Sequence, residues 1–240
     1  MHTAVTDWRP ARTVPRLTVN ALHIFCALAS EHGQALPRYT RYLSADELQR
    51  AGRLRRPEHG KRFIISRGLL RALLGSYLDC RPEAVHITLS PQGKPCLPAP
   101  FSSAQLHFNL SHSRDAILFA LRLKEPVGVD VEYMHDSLDF VSLARRFFSA
   151  QEHRDITSLA GLEQKKAFYA HWTRKEAYLK ATGKGLSGLQ ETAAPEPGIP
   201  SNWSIIDLGI PAPCYAGAVA FAGEAMQIEA LLLTADGAAI

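Results

Sequence analysis

Val127-Gly128-Val129-Asp130-Val131-Glu132 is the stretch on which the fold of this 240-residue chain turns. Apolar and other residues alternate with period two, which predicts a strand. Val127, Val129 and Val131 share one face, and Gly128, Asp130 and Glu132 share the other. Two carboxylates at i and i+2 point the same way, into one pocket. Like charges so close are unfavourable unless something neutralises them. A bound Mg²⁺ or Mn²⁺ would do so, because both prefer carboxylate and water oxygens. The plain alternative is a pair of solvated acids on an exposed face.

Working towards the N-terminus, Ala116 to Leu123 is an apolar run and Gln105 to Leu110 alternates. Both read as strands, joined through Ser111-His112-Ser113. Pro91-Gln92-Gly93-Lys94-Pro95 is turn chemistry. Lys61 to Leu78 has helical spacing of apolar residues. Ser44-Ala45-Asp46-Glu47 has the spacing of a capping box, so a helix is expected from there to about Arg56, with Pro57 as a break. Val19 to Ala29 reads as a strand. Towards the C-terminus, Leu138 to Phe148 predicts a helix. Ser149-Ala150-Gln151-Glu152 repeats the capping-box spacing, with Phe148 as a hydrophobic staple. Glu163 to Thr182 predicts a long helix ended by Gly183. Ala193 to Pro200 is a Pro-rich loop, and Trp203–Leu208, Tyr215–Phe221 and Met226–Thr234 read as strands. The order implies an α+β fold with a join near Lys124–Val127, dividing residues 1–124 from 125–240. No sequence repeat relates the two parts.

Composition narrows the class. Hydrophobic residues are 46% and charged residues 21%, which supports a sizeable core and argues against a largely disordered chain. No run of about 18 apolar residues suggests a membrane span. Met1 to Arg16 is polar and Pro-interrupted, unlike a secretory signal, so the cytoplasm is the expected location. Cys26, Cys80, Cys96 and Cys214 are scattered without a CxxC pair, so neither a zinc site nor a disulfide framework is expected. Net charge is +4 but uneven: Arg50 to Arg71 holds eight Lys or Arg against one acid, Glu58. That cluster is either a solvated helix face or an anion site.

Two further stretches carry chemistry. In His171-Trp172-Thr173-Arg174-Lys175-Glu176-Ala177-Tyr178-Leu179-Lys180, helical spacing puts Trp172, Glu176 and Lys180 on one face. Glu176 suits a third metal-facing carboxylate or a base, and Lys180 a phosphate contact. An ordinary surface Glu–Lys pair over a core Trp is the alternative. Phe108-Asn109-Leu110-Ser111-His112-Ser113 ends a strand in hydroxyls and an imidazole, which suits a phosphate. A hydrolase reading is disfavoured, because no G-x-S-x-G elbow occurs and adjacent Ser and His side chains on a strand diverge.

Taken in order, these stretches resemble the 4′-phosphopantetheinyl transferase superfamily, in its longer, pseudodimeric (Sfp-like) type typical of secondary metabolism. The resemblance runs from about Leu43 to Leu189. It rests on Gly93-Lys94-Pro95, Phe108 to Ser113, Gly128 to Glu132, Phe147 to Glu152, and Trp172 to Leu186.

The resemblance implies two similar α/β halves forming an intramolecular pseudodimer, and hence a monomer. It implies that Asp130, Glu132 and Glu176 hold Mg²⁺, with Mn²⁺ also suited, against the pyrophosphate of coenzyme A. Glu176, or a water ordered by it, is then the base for the serine of an apo acyl or peptidyl carrier protein, and Lys180 contacts the phosphates. Lys94, Pro95, Ser111 and His112 are implied at the 3′-phosphate and nearby nucleotide, with Arg62 as a further phosphate contact. The products are holo carrier and 3′,5′-ADP. Two readings of Glu152 stand: a helix cap, or part of the active region. The rivals are a catalytically silent coenzyme A-binding or carrier-recruiting module, and a nucleic-acid binder led by the Arg50–Arg71 cluster. Intact Asp130, Glu132, Glu176 and Lys180 weigh against the first, and the acidic pocket against the second.

Overall fold

Two β-sheets lie face to face, and each carries one long helix on its outer side. This arrangement comes from a computed structural model that describes residues 4–185, 200, 202–223 and 227–235. Leu186 and residues 193–199 of the Pro-rich loop, together with Met226, lie outside the described residues.

The first half contains β3 (Ala21–Leu28), α1 (Leu36–Tyr42), α2 (Ala45–Gly52), α3 (Pro57–Leu78), β6 (Leu106–Ser113) and β7 (Ala116–Leu123). A small hairpin, β4 (Thr88–Leu89) with β5 (Pro95–Cys96), is closed by the Pro91–Lys94 turn. The second half contains β8 (Val127–Tyr133), α4 (Phe140–Phe147), α5 (Ala150–Thr157), α6 (Gly161–Thr182), β9 (Trp203–Leu208) and β10 (Tyr215–Ala222). Two short N-terminal strands, β1 (Ala4–Val5) and β2 (Arg9–Pro10), and a last strand, β11 (Gln227–Leu233), complete the order.

Both capping boxes form. Ser44 and Ser149 each accept the N–H of the Glu three residues on, and Glu47 and Glu152 each reach back to the cap N–H. Each cap is worth about 1 kcal/mol. Pro57 is not a break but the first residue of α3, where its missing N–H has no intrahelical partner to lose. Helix α3 therefore starts four residues earlier than the apolar spacing indicates. Strand β6 likewise continues through Ser111-His112-Ser113, which is part of the strand rather than a connection.

The halves share a topology. In each, an initial strand pairs antiparallel with the last strand of a terminal hairpin: β3 with β7, and β8 with β10. In each, an eight-residue capped helix precedes a 22-residue helix. The join at 124/125 falls in the β7–β8 turn, but the sheets do not respect it. The orders are β1-β9-β10-β8 and β2-β11-β3-β7-β6. Residues 4–10 thus add an edge strand to each sheet, and β11 crosses back to pair in parallel with β3 of the first half.

Alternation along the strands sorts side chains into layers. Leu22, Ile24 and Cys26 of β3 and Leu118 and Ala120 of β7 meet Val127, Val129 and Val131 of β8 between the sheets. Each fully buried valine stabilises the fold by about 1.5–3 kcal/mol. Phe25, Phe119 and Leu121 face outward onto Leu69, Leu70 and Leu73 of α3. On the other side, Ala218 and Ala220 of β10 pack against Ala177 and Ala181 of α6. All four cysteines are free thiols.

Candidate active site

The site begins with a glycine. A Cβ on Gly128 would stand 2.1 Å from the Ala177 carbonyl oxygen and 2.3 Å from the Ala181 nitrogen. Only a residue without a side chain lets α6 cross β8 so closely. Asp130 and Glu132 lie on that same face of β8, so they meet α6 where Glu176 and Lys180 look out. Lys94 locks the crossing from the β4–β5 hairpin. Its Nζ donates to the carbonyls of Lys180 (2.6 Å), Ala181 (3.2 Å) and Val127 (3.3 Å), tying the end of α6 to the start of β8. Burial pulls the Lys94 ammonium down to about 8.

Strand β6 supplies the third wall. Asn109 Oδ1 accepts the Val129 N–H (2.9 Å), Ser111 Oγ the Val131 N–H (3.4 Å) and Ser113 Oγ the Tyr133 N–H (3.0 Å). The two serines also donate to the acids: Ser111 to Asp130 Oδ1 (2.9 Å) and Ser113 to Glu132 Oε2 (2.8 Å). Lys180 Nζ donates to Asp130 Oδ1 (2.5 Å) and Ser111 Oγ (2.8 Å). Sequence-predicted Asp130, Glu132, Glu176, Lys180 and Ser111 are therefore gathered in one place.

The acids are short of positive charge. Asp130 is 1% exposed, and its Oδ2 is buried with no hydrogen-bond partner, as is Glu176 Oε1. Such atoms cost free energy when left unpaired. Burial first, and then Asp130, holds the Glu176 carboxyl above its ordinary pKa. Glu132 is raised by burial and by Asp130, against the lowering pull of Ser113 and Lys180. Among the described residues no three His, Cys, Asp or Glu side chains form a ready metal cage. The donors nevertheless fit a hard divalent cation: all are carboxylate oxygens, two of the buried ones are unpartnered, and the excess charge is negative.

Beside the carboxylates runs a cleft. Gln92, Lys94, Pro95 and Gly183 border two adjoining hollows. The larger, about 370 Å³, extends along Gln105, His107 and Thr182. The smaller, about 220 Å³, reaches Asn109 and Lys180. Ser111 and His112 diverge, as neighbours on a strand must. Ser111 turns to Asp130, and His112 turns to the α3 side. His112 is exposed at one edge. Crowding around its ring, then the charges of Arg62, Lys180 and Arg67, hold its pKa below the ordinary histidine value. Arg62 and His112 are thus electrostatic neighbours, whereas Lys94 directs its ammonium at a helix end and offers the cleft its stem and the adjoining Pro95.

The basic cluster divides. Arg71 Nε bonds Glu47 Oε2 (2.8 Å), and Arg67 Nε stands 3.9 Å from Glu47 Oε1. Both arginines are buried and structural, while Arg50, Arg53, Arg55 and Arg56 are exposed. Glu152 caps α5 and also bonds buried Lys175 (2.9 Å) on α6. Its contacts are with the scaffold, one residue away from Glu176. Asn109 and Ser113 were missed as site residues. Their signal was the polar residue at every second position, His107, Asn109, Ser111 and Ser113, alternating with Leu106, Phe108 and Leu110.

Comparison with known proteins shows the family. The profile of the 4′-phosphopantetheinyl transferase superfamily matches residues 126–204, and that of the 4′-phosphopantetheinyl transferase N-terminal region matches residues 31–123. The chain is 37% identical over 227 residues to the 4′-phosphopantetheinyl transferase HetI of Nostoc sp., covering 92% of this chain and 95% of that one. The chain belongs to the 4′-phosphopantetheinyl transferase superfamily. Within it, a putative 4′-phosphopantetheinyl transferase of Synechocystis sp. is 40% identical over 161 residues, 67% of this chain and 65% of its own. The 4′-phosphopantetheinyl transferase Sfp of Bacillus subtilis is 30% identical over 151 residues, 62% of this chain and 64% of its own. The two profiles fall one on each half of the fold, which fits the longer, Sfp-like type.

Proposed function

We propose that this chain transfers the 4′-phosphopantetheine arm of coenzyme A to a serine of an apo acyl or peptidyl carrier protein, releasing 3′,5′-ADP. The observation that carries the reading is the pair of buried, unpartnered carboxylate oxygens, Asp130 Oδ2 and Glu176 Oε1, beside Lys180. Asp130, Glu132 and Glu176 would hold Mg²⁺ or Mn²⁺. When bound, such an ion neutralises charge developing on the pyrophosphate.

The chain's own groups perform the rest. The carrier serine Oγ forms a bond to the β-phosphorus, and the bond from that phosphorus to the bridging oxygen breaks. The bridging oxygen leaves with the electron pair as part of 3′,5′-ADP. Glu176, directly or through an ordered water, takes the serine proton on its carboxylate. Lys180, anchored on Asp130 and Ser111, turns its remaining N–H towards phosphate oxygen. Arg62 and His112 meet the 3′-phosphate side, and Lys94 and Pro95 wall the nucleotide. The cleft lies within one chain, so a monomer acting in the cytoplasm follows from this reading.

Intact-protein mass spectrometry of apo carrier proteins incubated with the enzyme, coenzyme A and Mg²⁺ tests it. A gain of one phosphopantetheine on the carrier serine, abolished by EDTA, is expected. Coenzyme A binding without transfer to any carrier would instead support a silent recruiting module.

A further inference from the structure

Strand β8 is the edge of its sheet: β10 pairs with one side of it, and among the described residues no strand backbone pairs with the other. The N–H groups of Val129, Val131 and Tyr133 on that open side would be costly if left unmade. Side chains of β6 satisfy them instead, at every second residue: Asn109, Ser111 and Ser113. A row of side-chain acceptors thus replaces a strand, and it joins the two halves of the molecule.

A serine hydroxyl has one hydrogen to give. Ser113 gives it to Glu132 Oε2 at 2.8 Å, while a lone pair takes the Tyr133 N–H at 3.0 Å. The hydroxyl is therefore fixed from the backbone side and in turn fixes one oxygen of the carboxylate. Ser111 does the same for Asp130 Oδ1 at 2.9 Å, shared with Lys180. Asn109 makes the same kind of backbone contact, to the Val129 N–H.

We propose that Ser113 is a positioning residue: its hydroxyl, registered by the Tyr133 N–H, aims Glu132 at the divalent cation. The inference rests on the metal assignment under the proposed function and extends it to a residue outside the carboxylate set. The reason is geometric. A carboxylate that keeps one oxygen bonded cannot swing freely, and a ligand held in place binds its metal more tightly.

The test is Mn²⁺ binding in the presence of coenzyme A, followed by electron paramagnetic resonance, for the wild type, Ser113→Ala, Ser113→Thr and Ser44→Ala, with a thermal melt of each. Ser113→Ala is expected to weaken Mn²⁺ by about tenfold or more, the usual effect of removing an outer partner of a metal ligand. Ser113→Thr, which keeps the hydroxyl, restores binding. Ser44→Ala, which removes the cap of α2 away from the cleft, lowers the melting temperature but leaves Mn²⁺ affinity within about twofold. Wild-type affinity in Ser113→Ala would overturn the proposal, as would a folded Ser113→Thr no better than Ser113→Ala, or an equal loss in Ser44→Ala. If the wild type itself binds no Mn²⁺ and transfers nothing, the metal reading fails with it. If the wild type binds and transfers while Ser113→Ala matches it, only the role of Ser113 falls.

Discussion

The two halves set the same device to different ends. In the first, the capping-box Glu47 of α2 reaches buried Arg71 of the 22-residue helix α3. In the second, the capping-box Glu152 of α5 reaches buried Lys175 of the 22-residue helix α6. Each short capped helix is thereby pinned to the long one by a cation deep in its half. What differs is the next turn of the long helix. After Arg71 come Leu73 and Leu74, which close a core. After Lys175 come Glu176 and, one turn on, Lys180, which meet Asp130 on a strand whose counterpart, β3, carries no acid. A common scaffold supports both halves, and the second carries acids at its crossing.

The sharpest way to break this comparison is to remove the acid that only one half has. Asp130→Asn is expected to reduce carrier modification to background while the melting curve stays close to wild type, as measured by mass spectrometry and circular dichroism. Near-normal turnover would sink the metal assignment.

The close approaches come next, and the tightest in each half are at Gly128 and Gly68. A Cβ on Gly128 would strike backbone of α6, whereas one on Gly68 of α3 would meet the Tyr39 side chain at 2.4 Å. Over-packing costs about 1–3 kcal/mol, and more where backbone must shift. Gly128→Ala should therefore lose both transfer and stability, and Gly68→Ala mainly stability. Transfer normalised to folded protein separates the two.

The cap glutamates sharpen the comparison further. Glu47→Gln and Glu152→Gln each remove one charge that faces a buried cation, Arg71 or Lys175, at a cost of up to about 3 kcal/mol in denaturant unfolding. Only Glu152→Gln should also lower kcat, because its partner Lys175 precedes Glu176. Equal kcat in the two variants would mean that the brace on α6 does not reach the chemistry.

The smallest effect is one of pH. The folded value for Lys94, about 8, lies below its ordinary 10.5. Above pH 8 the unfolded chain therefore holds the proton that the folded chain releases. The stability contributed by this group rises between those two values. The melting temperature of the wild type relative to Lys94→Met should climb over the same window. A flat difference would show that the ammonium keeps its charge against the three carbonyls.

Much of this was legible in the chain. Ser44 and Glu47, Ser149 and Glu152, Gly183 and the Val127–Glu132 alternation are local signals, and each acts within a few residues of itself. The element order, the facing of Asp130 with Glu132, and the shared face of Glu176 and Lys180 follow from periods of two and about four. Other features left no local trace. Strands β1 and β2 are two residues each and exist only because the sheet edges beside them were free. Pro57 carries the same residue signal whether it ends a helix or starts one, and the packing of α3 decides for the start.

Sequence alone determined which side chains the site has available and which way they leave their own strand or helix, because backbone period is a local property. Only the tertiary structure decided what they meet. It brought β6 alongside β8, so that Ser111 and Ser113 hold the acids, and it committed Lys94 to the end of α6 instead of to open solvent. It also buried Arg67 and Arg71 on Glu47 out of a cluster that reads as one basic face. These choices depend on which distant surfaces exclude water together, and that is set by the packing of both halves at once.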